Sequence, residues 1–141
     1  MSGKKLLIVI PCYNEEEALP STLKRMETLM NKMLGEKLID KNSRVMFVDD
    51  GSADNTWQIL KKGVGKTPFF EALRLSRNFG HQSAILAGMF DNEADIYVTI
   101  DADLQDDPDC IVEMLQKIKA GADIVYGVRR ERSSDTWFKR V

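Results

Sequence analysis

The sequence predicts an α/β fold of three layers, a mainly parallel sheet with helices on both faces. Three observations predict it. Short apolar runs of strand length recur along the chain, stretches with helical periodicity separate them, and the two kinds alternate without exception. Strands joined through helices form parallel pairs by right-handed crossovers, and the helices cover both faces of the sheet. At 141 residues, 43% of them hydrophobic, the chain has the length of one domain and the composition to bury a core.

The first strand is "LLIVI" (6–10), closed by Pro11 and a polar turn. Leu19, Leu23, Met26, Met30 and Met33 then recur at spacings of four and three, the stripe of an amphipathic helix, with Pro20 suited to its first turn. "RVMFV" (44–48) is the second strand. Ser52 or Asp54 is placed to cap a second helix carrying Trp57, Leu60 and Val64, which ends near Gly63 or Gly65. "FFEALRLS" (69–76) gives a third strand, "HQSAILAGMF" (81–90) a third helix and "DIYVTI" (95–100) a fourth strand. Pro108 starts a fourth helix with Ile111, Leu115 and Ile118 on one face, stopped by Gly121, and "ADIVYGV" (122–128) reads as a fifth strand. No internal repeat or low-complexity tract interrupts the series.

Composition excludes several function classes. Twenty basic and 22 acidic side chains leave a formal charge of -2, so no global field would hold nucleic acid or coat an anionic membrane. Any anion is bound locally. Cys12 and Cys110 have neither CxxC spacing nor the density of a disulfide scaffold, which fits a reduced cytoplasmic setting. The longest aliphatic run, 6–10, is far short of the roughly 20 residues that span a bilayer, and the chain as given reads as soluble.

In a sheet of this kind ligands bind beyond the carboxyl ends of the strands. Four polar clusters follow the first four strands: "PCYNEE" (11–16), "DDGSADNT" (49–56), "SRNFGHQ" (76–82) and "DADLQDD" (101–107). All four therefore fall on one edge. In the last, Asp101 and Asp103 point the same way in extended chain, about 7 Å apart at their α-carbons. An oxygen-preferring divalent cation, Mg or Mn, would relieve their repulsion and bridge to a phosphate. Gln105 continues the period. The competing reading makes these carboxylates, with Asp106 and Asp107, caps for the helix at Pro108.

In the second cluster Gly51 permits a tight turn and Asp49 or Asp50 offers acceptors to a base or ribose, while Ser52, Asp54 and Thr56 read as turn and cap residues. In the first, Pro11 fixes the strand exit, Tyr13 offers a flat face to a base or is a buried tyrosine with a satisfied hydroxyl, and Glu15 offers a carboxylate. "GVGKT" (63–67) imitates the end of a phosphate loop, but it follows a helix and precedes a strand, the reverse of what an anion site needs. His81, the only histidine, gives a histidine-rich metal site or a Ser-His-Asp triad little to build on, and reads as a cap or a packing partner of Phe79. A dinucleotide-binding domain is disfavoured because no GxGxxG follows the first strand.

Taken in order, "VIPCYNEE", "VDDGSADNT", "LSRNFGHQSAILAG", "TIDADLQDDPD" and "DIVYGVRRER" resemble the amino-terminal half of the family 2 inverting glycosyltransferases, and within them the branch of dolichol-phosphate mannose synthase and the bacterial polyprenyl-phosphate glucosyltransferases. That resemblance implies a Rossmann-like GT-A fold, with residues 1–141 as its nucleotide-sugar-binding part and further segments, some membrane-associated, beyond it. It implies nucleotide contacts from Pro11, Tyr13, Glu15, Asp50 and Asp101, and metal ligation by Asp101, Asp103 and Gln105. It also implies catalytic roles for Asp103 and for Arg129, similar to the arginine that reaches the phosphates in such enzymes. The implied partners are a UDP- or GDP-sugar and a polyprenyl phosphate at the cytoplasmic face of a membrane. A saccharide or cell-wall acceptor, and a module that binds donor without efficient transfer, are the alternatives. Cys12 stands where relatives commonly carry threonine or another small residue.

Overall fold

The computed structural model describes residues 3–90, 92–105, 107–122, 125–129 and 136–140, the last two segments by backbone alone. Two compact units, Met1–Asp103 and Leu104–Val141, are taken separately.

The first unit holds β1 (Leu6–Cys12), α1 (Leu19–Gly35), β2 (Arg44–Asp49), α2 (Thr56–Val64), β3 (Phe70–Arg74), α3 (His81–Met89) and β4 (Ile96–Thr99). The four strands are all parallel, in the order β3-β2-β1-β4. β1 is buried along its whole length, as a central parallel strand covered on both faces must be, and this is why it reads as an unbroken apolar run. Its alternation separates two cores. Leu7 and Val9 join Met46, Val48 and Ala84 under α3, with Leu73, Leu75, Met89 and Ala94 packed around them. Leu6, Ile8 and Ile10 face the other way, where α2 lies against β2 and β3 and α1 against α2. There Phe47 meets Phe70 edge to face at 5.2 Å.

Pro11 lies inside β1, although proline marks the expected strand end. The carbonyl of Val9 accepts from Ile100 on the β4 side, and that of Cys12 accepts from Asp50 on the β2 side. By this alternation the missing N–H of Pro11 points towards β4, whose pairing with β1 has already ended at Val9. No ladder bond is lost.

α2 ends at Val64 with Gly65 as its C-cap, as expected, and Gly63 lies just inside that end, where a Cβ would come within 3.0 Å of the Leu23 side chain of α1. The capping at its other end differs from expectation. Neither Ser52 nor Asp54 is the N-cap residue of α2. That position is Asn55, while Asp54 accepts from the N–H and hydroxyl of Thr56, the first residue of the helix. The α1 stripe buries Leu19, Met26, Met30 and Met33 as expected and adds Thr22 and Leu29.

The second unit holds α4 (Cys110–Lys119), β5 (Val125–Arg129) and β6 (Thr136–Arg140). α4 begins at Cys110 rather than Pro108, whose carbonyl instead accepts from Ile111 in the lead-in turn. Gly121, at φ 111°, ends it as expected: its N–H reaches Ile118 and that of Ala122 reaches Lys117, a Schellman closure. β5 is not a fifth parallel strand. It pairs antiparallel with β6, Val125 opposite Arg140 and Arg129 opposite Thr136, because a nearby second β-prone segment, "TWFKR", offers a hairpin partner that needs no crossover. Among the described residues no helix is long and apolar enough to cross a membrane.

Candidate functional site

In the first unit the chain runs outward from β1 to β2 and β3, then returns to place β4 on the other side of β1. The order reverses between β1 and β4, and loops leaving adjacent strands in opposite directions open a crevice there. A cleft of about 360 Å³ lies at the carboxyl ends of these strands. After β1 it is lined by Pro11, Cys12, Tyr13 and Glu15, after β2 by Asp50, after β3 by Asn78, Gly80 and His81, and after β4 by Asp101, Ala102 and Asp103.

The loops that bear these residues are tied to one another. The N–H of Asn14, at φ 51°, donates to the Ser52 hydroxyl at 2.8 Å, and the Asn14 side-chain oxygen accepts from Ala53 at 2.8 Å. Glu15 N–H donates to the Thr56 hydroxyl at 2.9 Å and Glu16 N–H to Asp54 at 3.2 Å, while Asn55 N–H donates back to the Glu16 carboxylate at 3.1 Å. Ser52, Asp54 and Thr56 therefore fix the loop after β1, and the reading of them as structural residues holds in this wider sense. Asp49 is fully buried, accepts from Ser52 N–H at 3.0 Å and lies 3.7 Å from the Arg74 guanidinium, so it is Asp50 that faces the cleft. Both Asp50 oxygens take backbone N–H groups, from Phe79 at 2.8 Å and Gly80 at 3.1 Å. The Thr22 hydroxyl of α1 donates to the carbonyl of Ala102, between the two aspartates.

Tyr13 is 49% exposed, which removes the reading of it as a buried core tyrosine and leaves its ring available to a planar ligand. Glu15 is held above its ordinary carboxylate range, first by burial and then by the charges of Asp103, Asp54 and Asp101. Burial works to raise the Asp54 carboxyl as well, but bonds from Thr56 and Glu16 outweigh it and lower the group. Burial, followed by the charges of Glu15 and Asp49, pushes the Cys12 thiol far up, so it stays neutral and unreactive, its sulfur directed to the Ile10 carbonyl.

The negative charges of Asp103, Asp54 and Asp101 that help to raise Glu15 call for a positive charge beside them. Among the described residues no three His, Cys, Asp or Glu side chains are placed to hold a metal ion by themselves. Asp101 and Asp103, both exposed at the cleft, fit a hard cation that completes its shell with phosphate oxygens and water, as Mg and Mn sites commonly do.

Of the residues singled out in the sequence, the cleft gathers Pro11, Tyr13, Glu15, Asp50, Asp101 and Asp103. Gln105, which is exposed, and Arg129, described by backbone alone at the end of β5, belong to the second unit. Asp106 and residues 130–135 lie outside the described residues. Asn78, Gly80, His81 and Ala102 were not foreseen as lining residues. The cluster after β3 was on the predicted edge, and that placement was the available signal for three of them.

Comparison with known proteins agrees with this geometry. The chain is 44% identical over 138 residues to an uncharacterized glycosyltransferase, YkoT, of Bacillus subtilis (strain 168), covering 96% of this chain and 41% of YkoT. It is 41% identical over 133 residues to a second from the same organism, YkcC, covering 94% of this chain and 39% of YkcC. The chain thus spans about two fifths of the length of the curated relatives it matches. Among solved structures, the mannosyltransferase PcManGT from Pyrobaculum calidifontis, in complex with GDP-Man and Mn2+, superposes with a TM-score of 0.69 at 19% identity, over 95% of this chain and 38% of that one. S. aureus TarS 1-349 superposes with a TM-score of 0.58 at 24% identity, over 82% of this chain and 31% of that one. These likenesses establish the fold as the Rossmann-like GT-A type. The model of the Glycosyl transferase family 2 matches residues 7–141, and the chain belongs to that family.

Proposed function

We propose that this chain is the donor-binding part of an inverting glycosyltransferase that moves a sugar from a nucleotide diphospho-sugar to a polyprenyl phosphate at the cytoplasmic face of a membrane. The observation that carries the reading is the convergence of Tyr13, Glu15, Asp50, Asp101 and Asp103 on one cleft at the point where the strand order reverses. PcManGT in complex with GDP-Man and Mn2+ supports both a nucleotide sugar and a divalent metal as ligands.

In this reading the Tyr13 ring stacks on the base, and Asp50, whose two oxygens each retain acceptor capacity beyond the bond they already accept, takes a hydrogen bond from base or ribose. Asp101 and Asp103 would hold Mg or Mn. When bound, that cation supplies Lewis-acid stabilisation of the departing diphosphate. An acceptor phosphate monoester, with its second pKa near 6, is largely dianionic at neutral pH. Its oxygen attacks the anomeric carbon in line, the bond from that carbon to the diphosphate oxygen breaks, and the nucleoside diphosphate leaves with the electron pair. Configuration inverts, and no general base is required. A saccharide hydroxyl as acceptor would require one.

Calorimetric titration of the 141-residue chain with UDP, GDP and their common sugar conjugates, with and without Mn, tests the donor half. Manganese-dependent binding of one nucleotide is expected and names the base. Absence of binding to every one of them, in this chain and in a longer one, would overturn the reading. Transfer of labelled sugar to a polyprenyl phosphate by the longer chain tests the acceptor half, and transfer to a saccharide alone would replace it.

A further inference from the structure

The segment between β3 and α3 brings Asn78 and His81 to the cleft without regular structure of its own. Leu75 N–H still donates to Asp49, and Ala84 N–H to Gly80 as α3 begins. Among the described residues, the hydrogen bonds that hold the backbone between these points to the rest of the unit are two, and both end on Asp50: Phe79 N–H to Oδ1 at 2.8 Å and Gly80 N–H to Oδ2 at 3.1 Å. Asp50 is itself 3% exposed, and its own N–H donates to Cys12 at 2.8 Å. One residue thus links the ends of β1 and β2, through its backbone, to the loop after β3, through its side chain.

The surroundings make that link decisive. Gly80 adopts φ 104° with open space around it, so sterics do not fix its orientation. Gly51, at φ 72°, lets the segment lie directly on the turn after β2, a Cβ there coming within 2.4 Å of the backbone at Arg77 and Asn78. The Arg77 guanidinium stacks over the Phe79 ring at 4.1 Å and braces the same residues from within.

We propose that Asp50 is a positioning residue for the donor cleft, holding residues 77–81 by a two-pronged carboxylate clamp and acting on the nucleotide through Asn78 and His81. This rests on the donor-site reading above and goes beyond a direct contact between Asp50 and the nucleotide. The clamp needs an acceptor on each prong. In Asp50→Asn one oxygen becomes an NH2 group facing a backbone N–H, two donors with no acceptor between them.

The test uses the 141-residue chain and three readouts. Amide hydrogen exchange at Phe79 and Gly80, followed by NMR, is expected to quicken by roughly tenfold or more in Asp50→Asn, the order expected for losing a charge-assisted bond. Affinity for UDP or GDP, whichever the wild-type chain binds with Mn, is expected to fall by a similar factor. In a cycle with Asn78→Ala the double variant is expected to bind no more weakly than Asp50→Asn alone, because Asn78 has already lost its place. A role in stability alone would not produce that coupling. Should Asp50→Asn fail to fold, Gly80→Ala strains the same segment without a clash and is expected to lower affinity likewise; unchanged affinity in it would overturn the proposal. Unaltered exchange at both amides, or additive losses in the cycle, would also overturn it and return Asp50 to a direct contact. If the wild-type chain binds no nucleotide, the donor reading fails, and the exchange measurement still decides whether Asp50 holds the segment.

Discussion

Thr22 and Ala102, eighty residues apart, are joined by a hydrogen bond of 2.5 Å from the Thr22 hydroxyl to the Ala102 carbonyl, and both residues are buried. The hydroxyl has one proton and a second, longer acceptor in the Ala18 carbonyl at 3.1 Å, so the Ala102 bond is the stronger claim on it. Through this contact α1 seats the turn that carries Asp101 and Asp103. Thr22→Val keeps the shape and leaves a buried carbonyl without its donor, a loss of about 1–3 kcal/mol in denaturant unfolding. The loosened turn should also weaken manganese-dependent nucleotide binding, and Thr22→Ser should restore it. A valine variant equal to wild type in both assays would show that the turn is seated by something else.

Gly51 should be intolerant of side chains for two separate reasons. Its φ of 72° is strained for a β-branched residue, and a Cβ would lie 2.4 Å from backbone atoms of Arg77 and Asn78, which cannot swing aside as a side-chain tip can. Gly51→Val is expected to cost about 2 kcal/mol or more in thermal or chemical unfolding and to weaken nucleotide binding with it. Wild-type stability in that variant would mean that the loop after β3 lies elsewhere.

Much of the cleft was legible because its residues follow strands that periodicity alone identifies. Buried parallel strands announce themselves as continuous apolar runs, and the polar residues that follow them share an edge whatever the details of the loops. An apolar run has no record of its partner, however: 122–128 reads as a strand and β5 is one, but it pairs antiparallel with residues 136–140. Asn78, Gly80 and His81 escaped because their placement depends on a carboxylate some thirty residues earlier. No local pattern encodes that bond. Pro11 inside β1 was likewise illegible, since its tolerance depends on where a neighbouring strand stops.

The acidic cleft predicts opposite pH dependences for two carboxyls. Glu15 is raised above its ordinary value of 4.5, by burial first and then by Asp103, Asp54 and Asp101. A raised folded pKa favours the protonated form, so its stabilising contribution is full below pH 4.5 and disappears as pH rises through the folded value. Asp54 is lowered from 3.8, and its contribution is present above that pH and lost as pH falls through the folded value. Glu15→Gln should therefore flatten the stability profile above pH 4.5 and make the ligand-free chain slightly more stable at pH 7, by a few tenths of a kcal/mol after solvent screening. Chemical denaturation across pH 3 to 8 measures both arms. A glutamine variant less stable at pH 7 would contradict the crowding of charge.

Asp103 tests the same electrostatics from the ligand's side. It is exposed, so removing it leaves no cavity in the core, and it is the first of the charges that raise Glu15. Asp103→Ala should therefore unfold at the same temperature as wild type or slightly above it, with the Glu15 carboxyl titrating closer to its ordinary value. If Asp103 also holds a cation with Asp101, the variant should bind UDP or GDP in the presence of Mn no better than wild type does in EDTA. The two outcomes separate cleanly. Relief of Glu15 with unchanged manganese dependence would keep Asp103 in the acidic cluster and remove it from the metal. Loss of manganese dependence with Glu15 unmoved would mean that the cation is held away from Glu15 and that the crowding at that carboxyl comes from Asp54 and Asp101.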